Sequence, residues 1–315
     1  MKVYWRATGG STATFGWTSF KTLNFPPLKT YTVTYAPGEG SGRKYSQTKY
    51  HGQTLTVKGC SFSKTGFHFD HWKGSNGRNY DKGSSYTANA NCTMTAQWEE
   101  NKYTVKYHGN KGDGSTPVKG SVKNQTCSYT RSYKYRAIDF SRKGYTVRPY
   151  WYTKAEGGSK RTPGASFSKL TSSDDAVINL YAQWTPNKYT ITYHANNANG
   201  VEGSPYGTAV YGNVAKFTNN STSMSNTATF DSNYTMLNKN NLKPLERYDF
   251  LYWSTRATSG KTYNSASLYG KFRETTGLNF YAKWKDLYSP PRFKDKDPLA
   301  NNVYRCDVTG VQNDT

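Results

Sequence analysis

The stretch TAQWEENKYTVKY, from Thr95 to Tyr107, is repeated almost unchanged as YAQWTPNKYTITY, from Tyr181 to Tyr193. Its second half has a further copy in TYTVTYAPGEG, from Thr30 to Gly40, and its first half has one in LNFYAKW, from Leu278 to Trp284. Such self-similarity is the sequence signature of a repeat architecture. We interpret each full copy as a joint, at which the last strand of one unit leads into the first strand of the next.

Three units follow from these joints, because each opening tyrosine has a matching closing tryptophan. The opening tyrosines lie 72 and 86 residues apart, and the pairs are Tyr31 and Trp98, Tyr103 and Trp184, and Tyr189 and Trp284. We therefore predict five segments: an N-terminal anchor or extension (1–30), module 1 (31–98), module 2 (103–184), module 3 (189–284) and a C-terminal tail (285–315).

The motifs inside each module also keep one order. A Tyr-Thr-Val-Thr-Tyr-like strand is followed by a Gly/Asn turn, a variable stretch, an aromatic run that ends at Trp72, Trp151 or Trp253, a polar loop and a closing x-Ala-Gln/Lys-Trp motif. Alternating β-branched and aromatic residues favour strands, and no apolar stripe of helical period and length is present. The chain is therefore predicted to be mainly β.

This order of motifs resembles the B repeat of internalin B, also called the Listeria/Bacteroides repeat, which occurs in bacterial surface proteins and some phage proteins. The resemblance extends from Tyr31 to Trp284 and is carried by the closing TAQW, YAQW and YAKW motifs with their YTVTY-like strands. It implies small β-grasp-like modules in a tandem, elongated array without catalytic residues. Modules 2 and 3 depart from the pattern by additional residues at Val122–Asp139 and Lys216–Leu245, and we expect these stretches to contact a partner.

Aromatic residues make up 16% of the chain, within a hydrophobic fraction of 34%. Each large ring can bury about 150–250 Å², so three small aromatic cores are expected rather than disorder. The six recurrent tryptophans named above are predicted to be core residues, with a carbohydrate-stacking platform as the alternative. The candidates for ligand contact are the non-recurrent tyrosines Tyr45, Tyr133, Tyr135 and Tyr211.

The formal net charge of +22 lies mostly in the repeats. Residues 1–30 contribute four positive charges and residues 285–315 are balanced, which leaves +18 for residues 31–284. Such a field attracts polyanions, although a merely solvated surface is the simpler interpretation. Expected partners are other virion structural proteins or a host cell-surface polymer. Nucleic acid is disfavoured because the basic residues are dispersed and no recognition module is present; the oligomeric state is left open.

No stretch of the sequence predicts catalytic, cofactor-binding or metal-binding residues, and no cofactor is expected. In HFDHW, His68 and Asp70 would share one face of a strand while His71 points to the other. His108 and His194 are predicted to serve the turns that follow them. GEGSG, from Gly38 to Gly42, is predicted to be a turn, because a phosphate loop would continue with Gly-Lys-Ser/Thr.

The cysteines fit no zinc spacing. Cys60 and Cys92 fall in one module, so a bridge between them is conceivable, but the favoured interpretation is two small buried thiols. The other two cysteines are Cys127 and Cys306.

These features together predict a non-enzymatic structural or attachment protein. No run of about 20 apolar residues predicts a membrane span, and the N-terminus lacks the apolar segment of a secretory signal. The first hypothesis is therefore a phage virion component, such as a capsid decoration, head fibre or tail-associated protein, which needs no export. The alternative is a bacterial cell-surface or secreted adhesin that binds a polysaccharide or polyanion. An enzyme with an appended repeat array is disfavoured, because no remaining segment is large enough for a catalytic domain.

Overall fold

The computed structural model describes residues 28–196 and 214–287, a short strand at 201–202 and four short strands between residues 292 and 309. The chain divides between Glu100 and Asn101 into two compact units. The first unit contains module 1, and the second contains modules 2 and 3.

Module 1 is built on one mixed sheet. Its strands are β1 (Thr30–Ala36), β2 (Tyr45–Tyr50), β3 (Leu55–Thr56), β4 (Phe67–Gly74), β5 (Asn79–Tyr80), β6 (Ser85–Tyr86) and β7 (Cys92–Glu100). The sheet has the order β2-β1-β7-β4-β5, and β3 pairs with β6 separately. The central pair, β1 and β7, is parallel, whereas the other neighbours are antiparallel.

Module 2 repeats this sheet and adds short pairs around it. Its strands are β8 (Lys102–His108), β9 (Val118–Gly120), β10 (Gln125–Ser128), β11 (Tyr133–Lys134), β12 (Phe140–Arg142), β13 (Tyr145–Val147), β14 (Trp151–Tyr152), β15 (Lys160–Arg161), β16 (Ser166–Phe167), β17 (Ala176–Tyr181) and β18 (Trp184–Pro186). The sheet order is β10-β8-β17-β14-β15, again with a parallel central pair, and the short pairs are β9 with β12, β11 with β16 and β13 with β18.

Module 3 has the same sheet in the order β22-β19-β28-β25-β26, with β20 added beside β28. Its strands are β19 (Lys188–His194), β20 (Val201–Glu202), β21 (Ala215–Phe217), β22 (Ser223–Thr229), β23 (Asn233–Thr235), β24 (Leu242–Pro244), β25 (Tyr248–Ser254), β26 (Thr262–Tyr263), β27 (Leu268–Lys271) and β28 (Leu278–Asp286). A 3₁₀ turn, Lys239–Asn241, precedes β24. After module 3, β29 (Arg292–Phe293) pairs with β32 (Val308–Thr309), and β30 (Asp297–Leu299) pairs with β31 (Val303–Arg305).

The prediction of a mainly β chain of small tandem modules is confirmed. Among the described residues, the 3₁₀ turn is the one helical element. The opening YTVTY-like strand and the closing strand of each module lie side by side as the parallel pair at the centre of its sheet. This placement explains why both motifs are kept in every copy.

A tyrosine and a tryptophan hold one loop residue in the same way in all three modules. The tyrosine is the last but one residue of the opening strand, and the tryptophan lies mid-module. Their ring centroids are 4.6–4.9 Å apart. The tyrosine Oη accepts a hydrogen bond from the loop residue's N–H, and the tryptophan Nε1 donates to its carbonyl oxygen. The groups are Tyr35, Trp72 and Lys58; Tyr107, Trp151 and Arg136; and Tyr193, Trp253 and Leu237.

The closing tryptophans instead fix the turn after the opening strand. Each indole Nε1 donates to a carbonyl oxygen of that turn at 2.8–3.0 Å: Trp98 to Pro37, Trp184 to Gly109 and Trp284 to Ala195. The core prediction is confirmed for Trp284 and for the three mid-module tryptophans, which are fully buried. It needs correction for Trp98 and Trp184, whose rings are only half-buried.

The two stretches expected to be variable partner-binding segments are largely part of the fold. Val122–Asp139 contains β10, the edge strand of the module 2 sheet, and supplies the buried Cys127 and Tyr135. Lys216–Leu245 contains β22, the equivalent strand of module 3, together with β23 and β24. The family pattern did not indicate these strands because the additional residues obscure where the second strand begins.

Modules 2 and 3 contact each other through two consecutive residues that follow β22. Phe230 is 1% exposed and packs edge-on against Tyr145, with centroids 5.4 Å apart, directly over Gly144. Asp231 accepts hydrogen bonds from the backbone N–H and hydroxyl of Ser115, and from the Tyr145 hydroxyl. Burial alone would raise the pKa of Asp231, but these bonds and one from Arg273 hold it well below its usual range.

Candidate ligand-binding cleft

A cavity of about 400 Å³ opens on module 2. It lies where the turn after β8 faces the start of β13, the loop after β14 and the closing tryptophan. Its principal lining residues are Lys111, Gly114, Arg142, Arg148, Gln183 and Trp184. All of them belong to module 2, so the cleft is complete within that module.

Arg142 is the most unusual residue of this cleft. It ends β12 and is only 7% exposed. Its Nε donates to the Thr116 carbonyl oxygen at 3.1 Å, and its guanidinium lies 3.8 Å from the centre of the Tyr145 ring. Its Nη2 is buried and has no hydrogen-bond partner. A side chain at Gly114 would collide with Nη2, so only glycine allows the turn to lie this close to the guanidinium.

Another part of the lining combines an amide with an aromatic ring. Gln183 is buried, and its Nε2 donates to the carbonyl oxygens of Lys154 at 3.2 Å and Gly157 at 2.8 Å. Its side-chain oxygen lies 3.5 Å from Nη1 of the exposed Arg148. Trp184 beside it is half-buried and is held by its indole nitrogen. This part of the lining therefore offers a fixed amide, a guanidinium and part of an indole surface.

The charge of the lining is unevenly distributed. Lys111, Arg142 and Arg148 are basic, whereas Asp113 and Glu156 are the acidic lining residues. Both carboxylates belong to exposed residues, while the Arg142 guanidinium is buried. Arginine is the side chain best suited to two-point recognition of carboxylate or phosphate. The arrangement can thus accept an anionic group beside an aromatic surface.

The tyrosines that the sequence indicated as contact residues do not line this cleft. Tyr45 stacks on Tyr35 at 4.7 Å and its hydroxyl donates to the Gly59 carbonyl oxygen, so it belongs to the module 1 core. Tyr135 is buried and stacks on Phe167 at 4.3 Å. Tyr133 is half-buried beside the same phenylalanine. Tyr211 lies outside the described residues.

The histidine predictions are corrected in detail. His108 and His194 do not serve the turns after them; each ring bonds the side-chain oxygen of an asparagine on the adjacent parallel strand at 2.8 Å. Each histidine ring also stacks on a tyrosine two residues further along that strand. His108 contacts Asn179 and Tyr181, and His194 contacts Asn279 and Tyr281. The parallel register brings these residues together, and the motif alone does not reveal it.

The HFDHW segment forms part of β4 and contains a β-bulge between Phe69 and Trp72. The bulge disturbs the strict alternation that the sequence interpretation assumed, and His71 Nδ1 lies 2.8 Å from the carboxylate of its neighbour Asp70. His68 faces Glu99 at 3.6 Å. In the part of the chain that the structure describes, no three His, Cys, Asp or Glu side chains gather as a metal site would require.

Cys60 and Cys92 are both free thiols, so no bridge joins them. Cys92 is buried as expected, whereas Cys60 is half-buried and its Sγ lies 3.9 Å from the Phe62 carbonyl oxygen. Burial raises the pKa of the Cys60 thiol and raises that of Cys127 to about 11. Cys306 lies outside the described residues. Within the described residues, Cys92 and Cys127 belong to the module cores and Cys60 packs against one of them.

The sequence interpretation did not identify Arg142, Arg148 or Lys111. A signal was nevertheless present, since Ser141-Arg142-Lys143-Gly144 in module 2 matches Ser63-Lys64-Thr65-Gly66 in module 1. Both segments precede an aromatic residue that opens the next strand. Comparison of the modules position by position would have indicated a basic residue at this place in both of them.

Comparison with known proteins gives one family match. The Listeria-Bacteroides repeat domain matches residues 31–97 and 103–183, which correspond to modules 1 and 2. A protein of Evansella cellulosilytica named "Putative Gly-rich membrane protein" is 31% identical over 162 residues, or 48% of this chain. The chain spans only 18% of that relative's length.

The Bacillus anthracis TIE protein is a solved structure with some similarity. It aligns with 82% of this chain and 51% of its own, at 9% identity and a TM-score of 0.31. Within the described ranges, no helix is long and apolar enough to cross a membrane. Modules 1 and 2 match the same family and have the same sheet order as each other. The chain therefore carries Listeria-Bacteroides repeat domains, at residues 31–97 and 103–183, in a tandem array.

Proposed function

We propose that this chain is a non-enzymatic attachment protein, whose modules present binding surfaces to an acidic polymer at a cell or particle surface. The observation that carries the proposal is the reuse of one sheet and one Tyr–Trp arrangement in three modules, while the surrounding turns and side chains differ. In such an array the repeated residues maintain the fold, and the differing residues are free to acquire binding roles.

Two further features support the acidic partner. The repeats carry +18 of the net charge, which attracts polyanions over a distance. The cleft of module 2 places a buried guanidinium and two exposed basic residues around one cavity.

The first expected result concerns salt. Binding of the chain to immobilised acidic polysaccharide should weaken steeply between about 0.05 and 0.5 M NaCl, because exposed charges are screened over about 10 Å at 0.1 M. Surface plasmon resonance measures this directly, with a neutral polysaccharide of equal length as the control. Affinity that is unchanged across the series would leave the charge as a solubility feature and contradict the proposal.

The setting of the protein is a second proposal. A bacterial surface location is supported by the name of the Evansella relative, which describes a membrane protein. The phage virion, which was the first hypothesis from the sequence, is the alternative. Fractionation of the source distinguishes them: the surface proposal expects the protein in the cell envelope or medium. Recovery with gradient-purified particles at fixed stoichiometry would overturn it in favour of the virion.

A further inference from the structure

Modules 1 and 2 place a basic side chain at the same point of the fold. Lys64 and Arg142 occupy equivalent positions in the segments Ser63–Gly66 and Ser141–Gly144. Each cation lies over the aromatic ring three residues further along: the Lys64 Nζ is 3.9 Å from the centre of the Phe67 ring, and the Arg142 guanidinium is 3.8 Å from that of Tyr145. The two sites therefore share one geometry.

In module 1 this cation has a counter-charge. The Lys64 Nζ donates to the Glu39 carboxylate at 2.5 Å, and that hydrogen bond with the lysine charge lowers the pKa of Glu39. Glu39 lies in the turn after the opening strand, immediately after Gly38, whose φ is +59°. The turn thus delivers a carboxylate to the basic residue.

In module 2 the counter-charge is replaced by a positive charge. Asn110 corresponds to Gly38, because it follows the closing-tryptophan acceptor Gly109 and also has a positive φ of 50°. The next residue, at the place of Glu39, is Lys111. Arg142 is nonetheless more buried than its module 1 counterpart, and in the described part of module 2 it forms no ion pair.

A buried charge without a counter-charge is strongly unfavourable, and a buried donor such as Arg142 Nη2 that has no acceptor requires an explanation such as a bound group. The surrounding cavity has room for one. We infer that the cleft binds an anionic group, carboxylate or phosphate, carried on a sugar or polyol. Arg142 and Arg148 hold the anion, and the half-buried Trp184 contacts the ring or chain that carries it. This assignment deepens the proposed function and rests on it.

The test exploits the difference between the modules. Lys111→Glu introduces the module 1 arrangement into module 2, so an internal carboxylate should occupy the site of the ligand. Isothermal titration of the full chain with trimeric galacturonate and with trimeric glycerol phosphate provides the two anionic arms, and a neutral trisaccharide is the blank. At least one anionic probe should bind, with affinity reduced about tenfold or more by Lys111→Glu. The thermal midpoint should not fall, because Arg142 gains a partner.

A charge-matched control separates this site from general attraction. Lys134→Glu makes the same change in net charge at an exposed position that does not line the cavity. It should leave the affinity within about twofold, since exposed charges are screened. An equal loss of affinity in both variants would overturn the assignment of the cleft as the binding site while leaving the proposed function intact. Absence of titratable binding by the wild type to both anionic trimers, with salt-sensitive polymer binding retained, would assign the cavity to water alone. Loss of the polymer binding as well would contradict the proposed function.

Discussion

Replacing Trp151 with alanine should lower the free energy of unfolding of the second compact unit by about 3–5 kcal/mol. The ring is fully buried, contacts Tyr107 at a centroid distance of 4.8 Å and donates a 2.7 Å hydrogen bond to the Arg136 carbonyl oxygen. Alanine would remove the packing and leave that carbonyl oxygen without its donor. Chemical denaturation followed by circular dichroism measures the change.

Trp184→Ala is the matched comparison, because it removes the same side chain from a half-buried site in the same module. It should be less destabilising than Trp151→Ala, although it also loses the indole hydrogen bond to the turn. A loss equal to or larger than that of Trp151→Ala would contradict the assignment of the mid-module ring as the centre of the core. The two variants also distinguish effects on stability from effects on ligand binding, since Trp184 lines the cleft and Trp151 does not.

The recurrence of one β module along the chain was accessible from the sequence for a physical reason. The Tyr-Thr-Val-Thr-Tyr strand and the closing x-Ala-Gln/Lys-Trp strand form the parallel centre of each sheet, where both neighbours constrain the side chains. The aromatic pair that holds a loop residue adds a second constraint, as at Tyr35 and Trp72. Selection on these contacts leaves the same residues at the same positions in every copy.

The surface features were not accessible in the same way. The alternation of a strand shows which residues share a face, but it does not show which strand lies beside it. His108 meets Asn179 only because β8 and β17 are parallel in one register. Arg142 became notable only when its burial and its missing partner were visible. The burial of Arg142 and its missing hydrogen-bond partner both depend on the turn that carries Lys111 and Gly114. The YTVTY-like motif before that turn does not determine its path.

Replacing Phe230 with alanine should uncouple modules 2 and 3, at a loss of about 3–5 kcal/mol. Phe230 is buried, but it lies outside the core clusters of both modules and covers Gly144 and Tyr145 of module 2. Its ring therefore contributes mainly to the contact between the modules. Calorimetry should show one cooperative transition of the second unit in the wild type and two separated transitions in the variant.

Gly144→Ala tests the same contact from the other side. A Cβ atom at Gly144 would lie 2.4 Å from the Phe230 ring, and its φ of +79° is strained for alanine. Gly164→Ala is the control, because Gly164 has a φ of +80° and open space around its Cβ position. Backbone strain should be similar in both variants, so the additional destabilisation by Gly144→Ala reports the contact with Phe230. Equal effects, or a single transition retained in Phe230→Ala, would show that the modules are coupled elsewhere.

The polar half of this contact should depend on pH, whereas the aromatic half should not. The pKa of Asp231 is lowered by the bonds from Ser115 and Tyr145, so its stabilisation is present above the ordinary aspartate pKa of about 3.9 and is lost as the pH falls through the lowered value. Phe230 has no titratable group, and its contribution should persist. The Phe230→Ala variant loses the aromatic packing but retains the hydrogen bonds of Asp231, so its modules should separate more readily in acid than those of the wild type.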